Sequence, residues 1–275
     1  MGDVSSGTAY GTIHQAGASS SDSTPAGVLA ALTHDCEYLV IGYGGFSAGT
    51  AVDGSALLDI LVDPAGGTSW SELIADLLVG NGWGSTMPNF ASASGTTIFQ
   101  PQYFHFPIWI PAGASIGVRA RAKSSAPLST SRVFMAAAGG NRNPASWWCG
   151  QSVETVGSID TTNCRGEVHT TSLTNFGSWD DIGSPISGAA GAVQYAVQGP
   201  GTAISAADAM CFEFGVGGDR IGPSIWKGQS SSEVGTTFTV CGPIFAQIPD
   251  GAQMQVRSKA LNAATGYDVA AYVVH

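Results

Sequence analysis

The chain has 275 residues, enough for two domains of about 100–150 residues each, with a sizeable core in each. Only 11 % of its residues are charged, and ten Lys and Arg stand against twenty Asp and Glu for a net charge of −10. No basic run tracks a phosphate backbone and no apolar run is long enough for a bilayer, so neither direct nucleic-acid binding nor membrane insertion is expected.

A soluble monomer usually carries about 25 % charged residues. Here Gly, Ala, Ser and Thr take their place, and such a surface is the kind that other protein covers. Residues 1–30, with GASSSDSTPAG at their centre, bury too little apolar surface to order themselves and read as an extended N-terminal arm held by a neighbouring subunit. Their start, MGDVSSGTAYGTIHQ, has neither the basic nor the apolar part of a secretory signal.

Short apolar runs punctuated by Gly, Pro, Asn and Asp then predict strands and turns. In a first domain, 31–139, these are EYLVIGYGGFSA, SALLDILVD, TTIFQ, QYFHFPIWI and ASIGVRARA. SWSELIADLLVG is the exception: Trp70, Leu73, Ile74 and Leu77 stand at helical spacing, which predicts a short helix or turn across the sheets, with a strand as the alternative. Residues 140–166 read as a polar linker that carries Trp147 and Trp148. The second domain, 167–275, supplies VQYAV, AMCFEFGVG, GTTFTVCGPIFAQI, AQMQVRSKA and YDVAAYVV.

FPIWIPAGASIGVRARAKS at 106–124 matches GPIFAQIPDGAQMQVRSKA at 242–260, with Pro111, Gly113 and Arg119 answering Pro249, Gly251 and Arg257 at a spacing of 138 residues (249 − 111). Pro presets the first corner of a turn and Gly completes it. In the strand that follows, apolar Ile116, Val118 and Ala120 alternate with Arg119 and Arg121 across the pleat. The repeated unit is expected to be a hairpin. Its recurrence predicts an all-β chain of two tandem antiparallel β-sandwich domains, jelly-roll-like, behind the N-terminal arm; one large sandwich using the same turn twice is the competing reading.

Chemistry is sparse along the chain. Gly45-Phe46-Ser47-Ala48-Gly49 fits the nucleophile-elbow pattern, but Gly54 argues against the helix that pattern requires, and Gly113-Ala114-Ser115-Ile116-Gly117 repeats it inside the turn. His14, His34, His105, His169 and His275 are scattered, and His34-Asp35-Cys36 reads as a satisfied surface cluster, so no metal or other cofactor is expected. An irregular calcium site built from backbone carbonyls and one Asp stays open. Five cysteines without a C-x-x-C pair read as thiols: Cys36, Cys211 and Cys241 as buried and unbridged, with Cys149 and Cys164 the one pair that invites a bridge. No catalytic residue is assigned. Trp83, Trp147, Trp148 and Trp179 are the candidates for a subunit interface or a glycan platform.

The segment FPIWIPAGASIGVRAR, with SALLDILVDPAGG and SWSELIADLLVG ahead of it, resembles virion structural proteins of tailed bacteriophages, above all tail-associated and fibre-like ones. The resemblance covers about a third of the chain and supplies no catalytic residues. It implies a non-catalytic particle component, a tail appendage, fibre or adaptor, assembled in the host cytoplasm and meeting other virion proteins and copies of itself. A head decoration or minor capsid protein is one alternative. A carbohydrate-binding adhesin that meets a host surface glycan is another.

Overall fold

The computed structural model describes residues 12–14, 22, 24–46, 56–79, 102–122, 130–138, 148–159, 165–199, 208–229, 238–262 and 264–275. Every regular element among them is a β-strand, and nearly every pairing is antiparallel. The first half supplies β1 (Thr12–His14), β2 (Ala26–Leu29), β3 (Tyr38–Phe46), β4 (Ala56–Asp63), β5 (Ser71–Val79), β6 (Gln102–Phe106), β7 (Ser115–Ala122) and β8 (Thr130–Ala138). They form two sheets, ordered β1-β8-β3-β6 and β2-β7-β4-β5. The pairs nest, outermost with outermost, which is the winding of a jelly roll.

The second half supplies β9 (Val153–Val156), β10 (Ser158–Ile159), β11 (Arg165–Thr170), β12 (Ser172–Leu173), β13 (Asp180–Asp181) and β14 (Ala190–Gln198). It continues with β15 (Asp208–Val216), β16 (Asp219–Gln229), β17 (Phe238–Ile248), β18 (Met254–Ala260) and β19 (Gly266–Val274). Its sheets run β10-β11-β19-β14-β17, with β9 also on β19, and β12-β18-β15-β16, with β13 also on β18. Here β11, β14, β17 and β19 repeat the order of β1, β3, β6 and β8, while β13, β15, β16 and β18 repeat that of β2, β4, β5 and β7.

Three expectations change. The repeated Pro-x-Gly unit is not a hairpin: β7 pairs with β2 and β4, and β18 with β13 and β15, so the turn carries the chain from one sheet to the other. The turn chemistry itself is as read. Gly113 and Gly251 have φ of 88° and 73°, and Ala114 N and Ala252 N donate to the carbonyls of Pro111 and Pro249. Such a turn serves an arch as well as a hairpin, and strand partners far along the chain decide between them.

The segment with helical spacing is the strand β5. Ala75 and Asp76 oppose the single residue Asp59, a β-bulge that shifts the pleat by one and turns both Ile74 and Leu77 inward. Asp76 takes φ 51° there, and its N–H donates to Asp59 Oδ1 at 2.8 Å. The arm, third, is not given over to a neighbour along its described parts. Thr12–His14 pairs with β8, and Ala26–Leu29 pairs with β7, so ladder hydrogen bonds supply the ordering that side-chain burial does not. Within the expected linker, β9 pairs with β19 and β10 with β11.

Strands β14 and β19 are buried on both faces. Val193, Tyr195, Val197, Val269, Ala271 and Val273 enter the core of the second half, while Ala192, Ala196, Ala270, Tyr272 and Val274 pack into that of the first. The small alanines leave room for Tyr272, whose ring meets Phe104 and Phe106 edge-on at 5.8 and 6.2 Å and whose oxygen accepts Leu78 N–H at 2.6 Å. Edge strand β6 is closed by Gln194, whose side-chain amide accepts His105 N–H and donates to His105 O, as a neighbouring peptide would. Cys36, Cys211 and Cys241 are buried free thiols, and burial pushes each of them up from the ordinary value.

Candidate functional site

An open groove of about 560 Å³ lies where β14 and β17 lose register. Ala190 pairs with Ile248 but Ala192 with Phe245, so Ala246 and Gln247 oppose the single residue Gly191. The bulge bends β17 away from its partner. Trp148 lies on the other side with its ring against Gly191; a Cβ at that position would come within 2.5 Å of the indole. Trp148 remains 43 % exposed and Phe245 53 % exposed, so two aromatic surfaces flank the groove.

Its polar end is His275, whose Nε2 lies 3.1 Å from Glu154 Oε2 and whose Nδ1 lies 3.2 Å from Ala189 O. The same Glu154 oxygen accepts both the N–H and the hydroxyl of Ser187 at 2.9 Å. Gln247 completes the lining. Flat apolar walls with a few fixed polar groups suit a partner side chain or a sugar ring.

Of the residues expected from sequence, Pro111, Gly113, Pro249 and Gly251 sit in the two inter-sheet turns, and Trp148 is in the groove. Trp179 lies elsewhere, on the outer face of the sheet containing β18, with Arg257 Cζ 4.4 Å from its ring centroid. Trp83, Trp147, Ser47 and Cys164 lie outside the described residues. Cys149 is a free thiol. The sequence reading missed Phe245, although it aligns with Trp109 in the repeat and both are exposed. It also missed Trp226, at 67 % the most exposed large apolar side chain described.

Chemically suggestive groups have structural employment. Asp35 accepts Ala112 N–H at 2.7 Å and so braces the repeated turn, while His34 Nε2 meets Thr33 Oγ1 at 3.0 Å. Ser115 donates to Gly67 O at 2.8 Å. Asp63 accepts Ala65 and Ser69 N–H, and Asp208 accepts Ala209, Leu261 and Asn262 N–H, each within 2.9 Å. Among the described residues, no three His, Cys, Asp or Glu side chains are grouped to hold a metal ion.

One chain of contacts has the connectivity of a hydrolase triad. His169 Nε2 is 2.6 Å from Ser258 Oγ, and His169 Nδ1 is 2.7 Å from Asp180 Oδ2. Ser258 is only 1 % exposed and points between the sheets beside Met254, Val256 and Ala260, out of reach of a substrate. The chain instead ties β11, β13 and β18 across the second sandwich. Burial lowers the His169 pKa, and the charge of Asp180 opposes this only in part.

No family model matches the chain, and no curated protein does. Among solved structures, PNGF-II aligns at 8 % identity and a TM-score of 0.37, over 95 % of this chain and 59 % of its own length. The tandem CBM22-1–CBM22-2 domain of Paenibacillus barcinonensis Xyn10C aligns at 10 % and 0.22, over 90 % of this chain and 81 % of its own. Infectious bursal disease virus, Gx strain, aligns at 8 % and 0.22, over 90 % and 58 %. The chain thus spans less than two thirds of PNGF-II, and likenesses this distant carry nothing about activity.

Proposed function

We propose that this chain is a non-catalytic structural subunit of a tailed-bacteriophage particle, two tandem jelly rolls acting as a tail appendage, fibre or adaptor among other virion proteins and copies of itself. The supporting observation is the set of large apolar side chains left in the open: Tyr103 and Trp109 on the first half, and Trp148, Val168, Leu173, Trp226, Phe245 and Leu261 on the second. They stand on a chain with only 11 % charged residues, and interface cores combine these features, rich in aromatics and poor in Lys and Glu. The buried carboxylates favour the non-catalytic reading, since Asp59, Asp63, Asp208 and Glu213 are each spent on backbone amides or arginines. Quantitative mass spectrometry of purified particles is the test. A fixed, stoichiometric copy number is expected; particles free of the chain would refute the reading.

The groove favours one other reading, a carbohydrate-binding adhesin, because Trp148 and Phe245 line it beside Gln247 and His275. Glycan-array binding abolished by Trp148→Ala, with no association with particles, would replace the first reading by this one.

A further inference from the structure

The two halves use the same pair of positions differently. In β7 and β18, Arg119 and Arg257 stand 138 residues apart (257 − 119) and both point to the outer face of their sheet. Each covers a buried carboxylate on the next strand, Asp59 at 2.6 Å and Glu213 at 2.7 Å. Around Arg119 and Arg121, the first half adds more acid: Asp22 bridges both arginines, Glu72 meets Arg119, and Asp76 lies 3.0 Å from Arg121. Two cations there face four carboxylates.

Among the described side chains the second half has three cations on this face, Arg220, Arg257 and Lys259, and Glu213 takes only the two arginines. Asp181, further along β13, holds Gln255. Where the first half has acids, the second has rings. Arg257 lies over Phe176 and Trp179, and Lys259 Nζ lies 4.7 Å from the Phe176 centroid and 5.5 Å from that of Trp226. Lys259 has no carboxylate partner among the described residues, and Trp226 beside it is mostly exposed.

We propose that this face, centred on Trp226 and Lys259, binds a carboxylate-bearing oligosaccharide, with the sugar's C–H face on the indole and its carboxylate at the ammonium. Cations held against rings keep their charge available while the rings supply apolar area. A sugar acid carries one charge per ring. A nucleic acid carries one per about 1.7 Å of duplex and needs a track of cations, whereas this face offers Lys259 without a carboxylate partner among the described residues. The proposal does not rest on the particle reading, and it concerns a face other than the Trp148 groove.

Titration calorimetry on the full chain tests it, with sialyl-lactose and tetragalacturonate as acidic probes, lactose and galactotetraose as neutral counterparts, and oligo-dT as control. One acidic probe should bind with a Kd of about a millimolar or tighter, and its neutral counterpart about tenfold more weakly or not at all. Trp226→Ala should weaken acidic-probe binding about tenfold or more. Lys259→Gln should erase the preference for the acid while the thermal unfolding midpoint stays put, and Trp148→Ala should change nothing. Equal binding of neutral sugar, preference for oligo-dT, loss on Trp148→Ala alone, or no binding of either acidic probe would each overturn it.

Discussion

The outer faces of the two equivalent sheets show how one framework is put to two uses. Around Arg119 and Arg121 the chain supplies its own counter-ions, and Leu57 and Leu61 on the same side of β4 are almost fully buried. Around Arg257 and Lys259 it supplies aromatic rings and leaves Trp226 in the open. Both sheets place an arginine over a buried carboxylate at equivalent positions. What surrounds that pair is free to vary, and it decides whether the face is closed or available.

The largest expected effect follows from the different number of acids. Glu213 alone serves Arg257 and the exposed Arg220 and also accepts the Ser224 hydroxyl, so Glu213→Ala removes all of these bonds at once and should cost about 2–4 kcal/mol in denaturant unfolding. Asp59→Ala leaves Arg119 with Asp22 and Glu72 and should cost less, about 1.5–3 kcal/mol, through the lost bonds to Arg119 and to Asp76 N–H. Equal costs, or the reverse order, would break the comparison.

A smaller effect appears with pH. Burial works to raise the Glu213 carboxyl, but the hydrogen bond and charge of Arg257, then Arg220, outweigh it and hold the group below its ordinary value. Its contribution is therefore present above the unfolded carboxylate value of about 4.3 and is lost as pH falls through the lower folded one. His169 acts earlier. Its folded pKa is depressed, so the unfolded chain takes the proton first and stability falls as pH drops below about 6.5. Burial depresses His105 in the same way, so thermal unfolding of His169→Gln should lose part of its slope between about pH 6.5 and 5 and keep the later fall due to Glu213. An unchanged slope would mean His169 is not the group responsible.

Smallest in stability, within about 1 kcal/mol, should be Gly191→Ala. The added methyl meets the Trp148 ring, so the Trp148 indole N–H resonance should move while unfolding barely changes. A resonance that stays in place would remove Trp148 from the groove.

Strands were legible in the sequence because apolar runs between turn residues announce them, and the repeat was legible where its spacing is constant. The matching pair Asp59 and Glu213 escaped notice, since it stands 154 residues apart (213 − 59) and the two spacings differ. The bulge at Asp76 imitated helical periodicity by shifting the pleat one residue. Pairing of Ala26–Leu29 with β7 depends on backbone groups that composition does not reveal. Phe176, Trp226 and Lys259 lie far apart along the chain and meet only because the β16–β15–β18 register sets Trp226 and Lys259 on either side of Cys211.

Hydroxyl-radical footprinting, read by mass spectrometry on the free chain and on purified particles, tests the central claim most directly. If the chain is a particle subunit that assembles through its open second half, Trp148 and Phe245 should oxidise readily in the free chain and become protected in the particle. Leu57 and Leu61, already covered, should stay unreactive in both. Trp148 and Phe245 equally reactive in both states, or Leu57 and Leu61 reactive in the free chain, would contradict the account.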